Sequence, residues 1–538
     1  MSRRIAVDGE SLSIEDVVAV ARAGAVPVLA DAARRRLGAS RAVVERFLGK
    51  GESSYGLTSG DKVGRVKVAV DALEEEGRVA YGITTGFGEL ARVHIPPSKV
   101  RELQLNLVRS HACGVGEPFA DDVVRAVLLL RANALAKGLS GVRVAVVETL
   151  LGLLEKGVTP VVPSRGSLGA SGDLVPLAHV ALVLVGEGEA RYRGETLPGA
   201  EALRRAGLAP LVLEAKEGLA LINGTQFMAA LLALSVADGL SLVRNAELAG
   251  AMSLEVLLGS ERPFDPRVAD ARPHAGQRAS AENLRKLVAG SPLIASHEGC
   301  HRVQDAYSLR CMPQVFGAVR GVLAHAREVL AVEMNSATDN PLVFPDGGDE
   351  VVSNGNFHGE PLALLASYLA TAFSEIAAMS ERRTARLVDP RLSEGLPAFL
   401  ARDPGLSSGL MIPQYVAVAL ALETQANAFP AVLLNAPTSA NQEDHNSNGL
   451  VGSLQARAAL DRARLVVAIE LVTAAEAADL RAPLALAPAT GAAHAALRAV
   501  VPPLDRDRVL AHDLLAAARL VEDGSLVSAA EARTGPLH

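Results

Sequence analysis

Tryptophan is absent from all 538 residues, and aromatic side chains make up only 3% of them. A packed core therefore has to be aliphatic, built from Ala, Leu and Val. Cysteine is almost as scarce, with Cys113, Cys300 and Cys311 the whole supply. Three thiols in so long a chain exclude a disulfide framework and fit a reducing compartment. Basic excess is missing too: the formal net charge is −7 and the isoelectric point is near 6.0. That excludes a nucleic-acid partner held by clustered positive charge. The longest apolar stretches, such as 174–185 and 227–237, read as too short to span a bilayer. The opening MSRRIAVDGE has arginines but no apolar segment behind them. A soluble cytoplasmic protein with no membrane partner is expected. The chain also has no GxGxxG, no Walker-type loop and no nucleophile elbow, so the usual marks of dinucleotide, P-loop and serine-hydrolase chemistry are missing.

What is present is helical periodicity. With 49% hydrophobic and 21% charged residues, the chain can bury a large core rather than stay disordered. Over 314–334, Val315, Ala318, Val319, Val322, Leu323, Ala326, Val329 and Leu330 recur at three- and four-residue spacing. Arg320, His325, Arg327 and Glu328 fill much of the other side. Similar patterns predict helices over 119–137, 141–156, 218–240, 357–388, 409–428 and 450–482. Several exceed ordinary globular lengths, so the expected fold class is mostly α, a bundle of long helices. Strand signals are few: 188–198 reads as a small hairpin and 346–353 as a short strand. No strand–helix alternation is visible, and a parallel α/β sheet is not expected. A boundary near 205–217 separates a loop-rich N-terminal part, 1–215, from a long-helix part, 216–538.

At 166–179 the chain reads GSLGASGDLVPLAH, a small-residue loop running into an apolar helix. Ser, Gly and Asp are what helix N-termini use, and an N-cap is the ordinary reading. The other reading is chemical. If the loop brings Gly172 N close to the carbonyl carbon of Ala170, the backbone can cyclise, because small side chains let two peptide units approach closely. Loss of water closes a five-membered imidazolone. Loss of the Ser171 hydroxyl as a second water leaves an exocyclic methylidene. The product is an electrophile made without an external cofactor, and helix N-termini aimed at it would make it more electron-poor.

Other segments bear on that choice. In order they are YGITTGFG (81–88), RSHACGVGEP (109–118), LINGTQ (221–226), VQDAYSLRCMPQV (303–315), NGNFHGEP (354–361), SERR (380–383) and PTSANQEDH (437–445). With the Ala-Ser-Gly loop, this ordered set resembles the aromatic amino acid ammonia-lyases over most of the chain. The resemblance implies that Ala170, Ser171 and Gly172 mature into a methylidene-imidazolone. It also implies that Tyr81 removes the substrate's β-proton and that the protein is a homotetramer with active sites built from more than one subunit. A tyrosine in a Gly-rich loop can act as a base once its pKa is lowered. Tyr55 opens the similar YGLTSG but lacks the following GFG, and Tyr81 is preferred. Arg310 lies three residues after Tyr307, on one side of a helical turn, and its guanidinium fork suits the amino acid's carboxylate. Gln304, three residues earlier again, shares that face with Tyr307, which is counted with the catalytic groups. Asn223 can hydrogen-bond the substrate or the imidazolone oxygen.

Substrate choice rests on what meets the side chain. The pair Ser110-His111 resembles family members that act on histidine; those acting on tyrosine or phenylalanine typically carry His-Leu or Phe-Leu. Glu423, in ALALETQ, matches a carboxylate of the histidine-acting members. A buried His and a Glu suit imidazole, which both donates and accepts hydrogen bonds, and Phe357 would pack near the ring. The implied reaction is elimination of ammonia from L-histidine to give trans-urocanate. The rivals are a tyrosine or phenylalanine lyase, a 2,3-aminomutase, and a non-catalytic binding or assembly protein of the same fold. Some features depart from the pattern. The 49–77 stretch is longer, Thr84 stands where Asn is usual, Phe429 replaces a His in NAFPA, and HNSNG differs beyond His445. His297, Glu298, Cys300 and His301 lie close together, but no second ligand pair follows at zinc-type spacing, so no metal is expected.

Overall fold

A computed structural model of the chain describes residues 3–50, 97–297, 299, 303–347 and 350–538. Tyr81, Thr84 and Tyr55 lie outside these residues, as do Glu298, Cys300 and His301. The described chain is mostly helical, and the periodic segments become helices close to their expected bounds: Asp121–Ala136, Val144–Lys156, Met312–Glu333, Glu360–Val388, Met411–Ala426 and Gly449–Leu480. The segment expected over 218–240 divides. Glu217–Ile222 forms a short helix, Asn223 turns extended, and Gln226–Val256 continues as one long helix.

Strands are short and local. Glu189–Tyr192 and Glu195–Pro198 form the expected hairpin, with Tyr192 opposite Glu195. Glu350–Val352 pairs with Leu342–Phe344. A parallel pair was not foreseen: Arg4–Val7 runs beside Val26–Leu29. The intervening helix Ile14–Arg22 starts at a capping box, in which Ser13 Oγ accepts from Asp16 N and Asp16 accepts from Ser13 N. Four-residue strands carry too few alternations to be told from loop. Another pair matters for the site: Val115–Pro118 lies antiparallel to Pro163–Arg165, which tethers the stretch after His111 to the strand that enters the 166–173 loop.

Chain packing groups residues 1–234, 327–364 and 430–453 into one unit and 235–326, 365–429 and 454–538 into a second. In the first, Leu128, Leu129, Val147, Leu150, Val180 and Leu184 are fully or almost fully shielded. In the second, Leu254, Phe316, Leu323, Phe373 and Val467 are. Aliphatic side chains dominate both, as the lack of aromatics requires.

The expected shortness of the apolar runs does not hold. Gln226–Val256, Glu360–Val388 and Met411–Leu433 are each long and apolar enough to cross a membrane by length and composition. Alanine, glycine and serine bridge the shorter Leu/Val runs, and the eye stops where the average does not. Of the most apolar 18-residue stretch in each, 78% and 67% are buried inside the protein for the first two and only 22% for the third. Their interiors carry polar groups that the protein satisfies. Glu247 accepts from Asn283 and Arg320, and Arg383 forms a fully buried pair with Glu470.

Candidate active site

The Ala-Ser-Gly turn is held in an unusual backbone. Ser171 has φ +52 and Gly172 φ +79, left-handed values that cost an L-residue roughly 1–2 kcal/mol. At Gly172 a side chain is excluded as well, because a Cβ there would lie 2.3 Å from the carbonyl oxygen of Gly224. Gly172 N donates to Gly169 O (3.2 Å) and Asp173 N to Gly224 O (2.7 Å), with residues 172 and 224 bridged in parallel. The turn is thus sewn to the extended break between Glu217–Ile222 and Gln226–Val256.

Asn223 sits in that break with extended backbone (φ −91, ψ 110). Its Nδ2 donates to Ser171 O at 3.1 Å, the oxygen that an imidazolone ring would retain. Its Oδ1 is buried with no partner among the described residues, which leaves one acceptor for whatever occupies the site. A glycine with no room for a Cβ, a strained serine and a donor on the retained oxygen all fit the methylidene-imidazolone that the sequence implies.

The N-cap reading survives in altered form. Asp173 stands at the N-cap position of Leu174–Leu184, yet its side chain caps nothing in that helix. Asp173 Oδ2 accepts instead from Met228 N (3.0 Å), in the first turn of Gln226–Val256. Burial pushes its carboxyl up to about 7, against lowering by the Met228 and Phe227 amides and Ser167.

Glu443 borders Ser171, and His111 feels the charge of Glu443. Glu443 Oε1 is 3.4 Å from Ser171 Oγ, and Glu443 Oε2 accepts from Thr438 Oγ1 at 3.0 Å. His111, at the last turn of Val100–His111, has Nδ1 2.8 Å from Leu107 O and 3.1 Å from Ser110 Oγ. A carbonyl only accepts, so Nδ1 carries the proton and Nε2 keeps its lone pair. Burial lowers the pKa of His111, and the charge of Glu443 opposes that shift, which makes Glu443 a near neighbour in electrostatic terms. Ser110 is exposed and Phe357 half-buried. Sequence reasoning missed Glu443. It lay in a matched segment, PTSANQEDH, but two adjacent carboxylates in an irregular stretch offer no periodicity to choose between them.

Glu423 is placed otherwise. It is exposed on Met411–Ala426, and Arg462 Nη2 donates to its Oε1 at 2.6 Å. The carboxylate expected to receive imidazole is already paired in this chain.

The remaining expected residues belong to the second unit, described by itself. Tyr307–Arg310 is a short helix, with the Arg310 guanidinium 4.6 Å from the Tyr307 ring centroid. Arg310 Nε is buried and has no partner among the described residues, so a donor stands free for a carboxylate. Tyr307 and Gln304 are exposed. The turn is braced from beneath: Arg383 Nη1 donates to Ser308 O, while its Nη2 binds Glu470 Oε2 at 2.8 Å.

One group of possible metal ligands occurs among the described residues. His358, Glu360 and His445 offer donor atoms within 4.8 Å of one another. The hydrogen bonds speak against coordination. Asn435 Oδ1 accepts from Asn446 N and its Nδ2 donates to Asn446 O, which fixes that amide. Nδ2 therefore also faces His445 Nδ1 as donor, at 3.0 Å. His445 must hold its own proton on Nε2, which leaves no lone pair for an ion.

With this geometry in view, comparison with known proteins is informative. The aromatic amino acid lyase family matches residues 60–499. A histidine ammonia-lyase from Anaeromyxobacter sp. (strain K) is 53% identical over 529 residues, covering 97% of this chain and 99% of the relative. Among solved structures, histidine ammonia-lyase from Trypanosoma cruzi aligns with a TM-score of 0.85 at 38% identity, covering 99% of this chain and 96% of that one. Tyrosine aminomutase from Streptomyces globisporus aligns at 0.88 and 38%, covering 99% and 100%. The backbone alone therefore does not separate lyase from mutase.

Proposed function

The chain belongs to the aromatic amino acid lyase family, and from that premise we propose that it eliminates ammonia from L-histidine to give trans-urocanate. The observation that carries this reading is the strained 170–172 turn pinned by Asn223, with Glu443 beside it and His111 within reach of the Glu443 charge. The half-identical relatives named for that activity support it.

In this reading Ala170, Ser171 and Gly172 mature into a methylidene-imidazolone, and no external cofactor or metal is needed. Once mature, that group would supply an electrophile for the substrate amine, improving it as a leaving group. The rest of the chemistry belongs to ordinary side chains. Arg310, whose buried Nε has no partner among the described residues, anchors the α-carboxylate, and Tyr307 and Gln304 flank it. Tyr81 takes the β-proton. His111 presents the lone pair of Nε2 to a ring N–H, and Glu443 supplies a carboxylate to the same ring. We assign that carboxylate to Glu443 rather than Glu423, whose charge is engaged by Arg462. Two acceptors favour a side chain that carries N–H or O–H over bare phenyl, because phenyl would leave both unsatisfied. Phe357 packs against the ring, and Leu107 O keeps His111 in its tautomer while Ser110 stands beside the same nitrogen.

Two broader features complete the reading: a cytoplasmic enzyme, and a homotetramer with shared sites. The apolar but largely exposed stretch Met411–Leu433 supports assembly, since Ile412, Tyr415 and Leu422 stand open to solvent in the single chain.

Offering L-histidine, L-tyrosine and L-phenylalanine separately and following the conjugated acids by ultraviolet absorbance tests the substrate. Urocanate should accumulate far faster than coumarate or cinnamate. Coumarate or cinnamate without urocanate would overturn the assignment.

A further inference from the structure

Beneath the Asn223 break lies a cation that the reaction scheme does not use. Arg131, on helix Asp121–Ala136, is 1% exposed. Its Nη1 donates to Asn223 O at 2.8 Å and to Gln226 Oε1 at 2.7 Å. The arginine only donates, which fixes the amide's orientation, and Gln226 Nε2 in turn donates to Thr338 Oγ1 at 2.9 Å. The fit is close: a Cβ on Gly224 would lie 2.4 Å from Arg131 Nη1. Arg131 Nε and Nη2 are buried without partners among the described residues. Removing a guanidinium from water while bonding so few of its N–H groups is costly. Among the described residues, the carboxylate acting on it is Asp339, which is bonded directly to Lys216 instead, at 2.6 Å. A charge kept buried on such terms is poor stability design. It does hold one thing firmly, the carbonyl of Asn223.

That carbonyl matters because of what its residue does on the other side. With Asn223 O clamped, the extended backbone aims Nδ2 at Ser171 O, and the next residue offers Gly224 O to Asp173 N. The carbonyl before Gly172 and the amide after it are therefore both held from one short segment. Maturation forms a bond from Gly172 N to the Ala170 carbonyl carbon. The Ala170 oxygen leaves as water with the hydrogens of Gly172 N and Ser171 N. The second water takes Ser171 Oγ with its hydrogen and the hydrogen on Ser171 Cα. As that Cα proton departs, negative charge develops on Ser171 O, where the Asn223 donor awaits it. No oxidant or reductant is required.

The geometry points to Arg131 as a positioning residue for maturation of the Ala170-Ser171-Gly172 turn, acting through Asn223. The inference rests on the reading of that turn as a self-made electrophile. Lysine at 131 keeps the charge but cannot hold Asn223 O and Gln226 Oε1 with the same planar fork.

The test is intact mass of the full-length chain, sampled over time after a pulse of expression. Wild-type chain should become lighter by two waters. Arg131→Lys should accumulate unmatured or singly dehydrated chain, with maturation about tenfold slower for the lost charge-assisted bond. Gln226→Met, which removes only the second acceptor, should lag in the same direction but less, and it serves if Arg131→Lys does not fold. Glu247→Gln, which weakens the buried pair with Arg320, is the control. It should lower the melting temperature yet mature at the wild-type rate. Wild-type rates in Arg131→Lys and Gln226→Met, or an equal lag in Glu247→Gln, would overturn the inference. A wild-type chain that never loses two waters would overturn the reading beneath it as well.

Discussion

Asn223 divides one amide between two tasks, donating to Ser171 O while its own oxygen has no partner among the described residues. Ser171 is the residue whose chemistry can be removed with least change of shape. Ser171→Ala should leave the fold intact, abolish the second loss of water by intact mass, and lower kcat at least about 10³-fold. Near-normal turnover would show that the turn is only a loop. Glu443→Gln removes a charge beside Ser171 and His111 but keeps the shape. It should raise the KM for histidine and narrow the preference over phenylalanine by about tenfold, the worth of one charged hydrogen bond. An unchanged preference in competition assays would return the role to another residue. At this scale much was legible in the sequence, because short motifs carry their chemistry in residue type. Asn223 beside Ser171 and Arg310 with a free donor both stood in quoted segments. Glu423 and Glu443 were not separable in this way, since only the folded chain reveals that Arg462 already holds the first.

Periodicity gave helices their bounds within a few residues, as with Met312–Glu333 and Glu360–Val388. It was blind to the two places where the site is made. The break at 223–225 hides inside an apolar run, because its polar residues fall where a helix face would tolerate them. The 166–173 loop shows small residues but not the left-handed conformation they serve. Gly172→Ala tests that conformation: the positive φ and a Cβ 2.3 Å from Gly224 O should slow or abolish maturation and lower stability by at least about 2 kcal/mol. A fully matured, equally stable variant would contradict the packing described. Element packing also sets a pH dependence. Burial raises Glu255 from 4.5 to about 7, against bonds from Ser291, Thr490 and Ala487 N. The folded chain therefore holds this proton more tightly than the unfolded chain. Its contribution to stability is full below about pH 4.5 and declines as pH rises towards 7. Glu255→Gln should flatten that part of the melting-temperature profile, and a parallel profile would refute the assignment.

For the molecule as a whole, composition foretold an aliphatic, mostly helical protein but misjudged its longest helices. Apolar runs interrupted by Ala, Gly and Ser look short by eye and long by average, and Met411–Leu433 remains mostly uncovered in the single chain. Assembly would cover it. Light scattering should give four chains per particle, and Leu422→Glu with Tyr415→Lys on the exposed face should shift the mass towards smaller species. A monodisperse monomer in the unaltered protein would remove the shared-site part of the reading. The backbone aligns with a histidine ammonia-lyase and a tyrosine aminomutase at TM-scores of 0.85 and 0.88, so the decisive observation is the product. Proton NMR of a mixture of the protein with L-histidine should show urocanate and ammonium growing in equal amounts at the expense of histidine. A β-amino acid, or unchanged histidine in a sample that consumes tyrosine, would contradict histidine elimination.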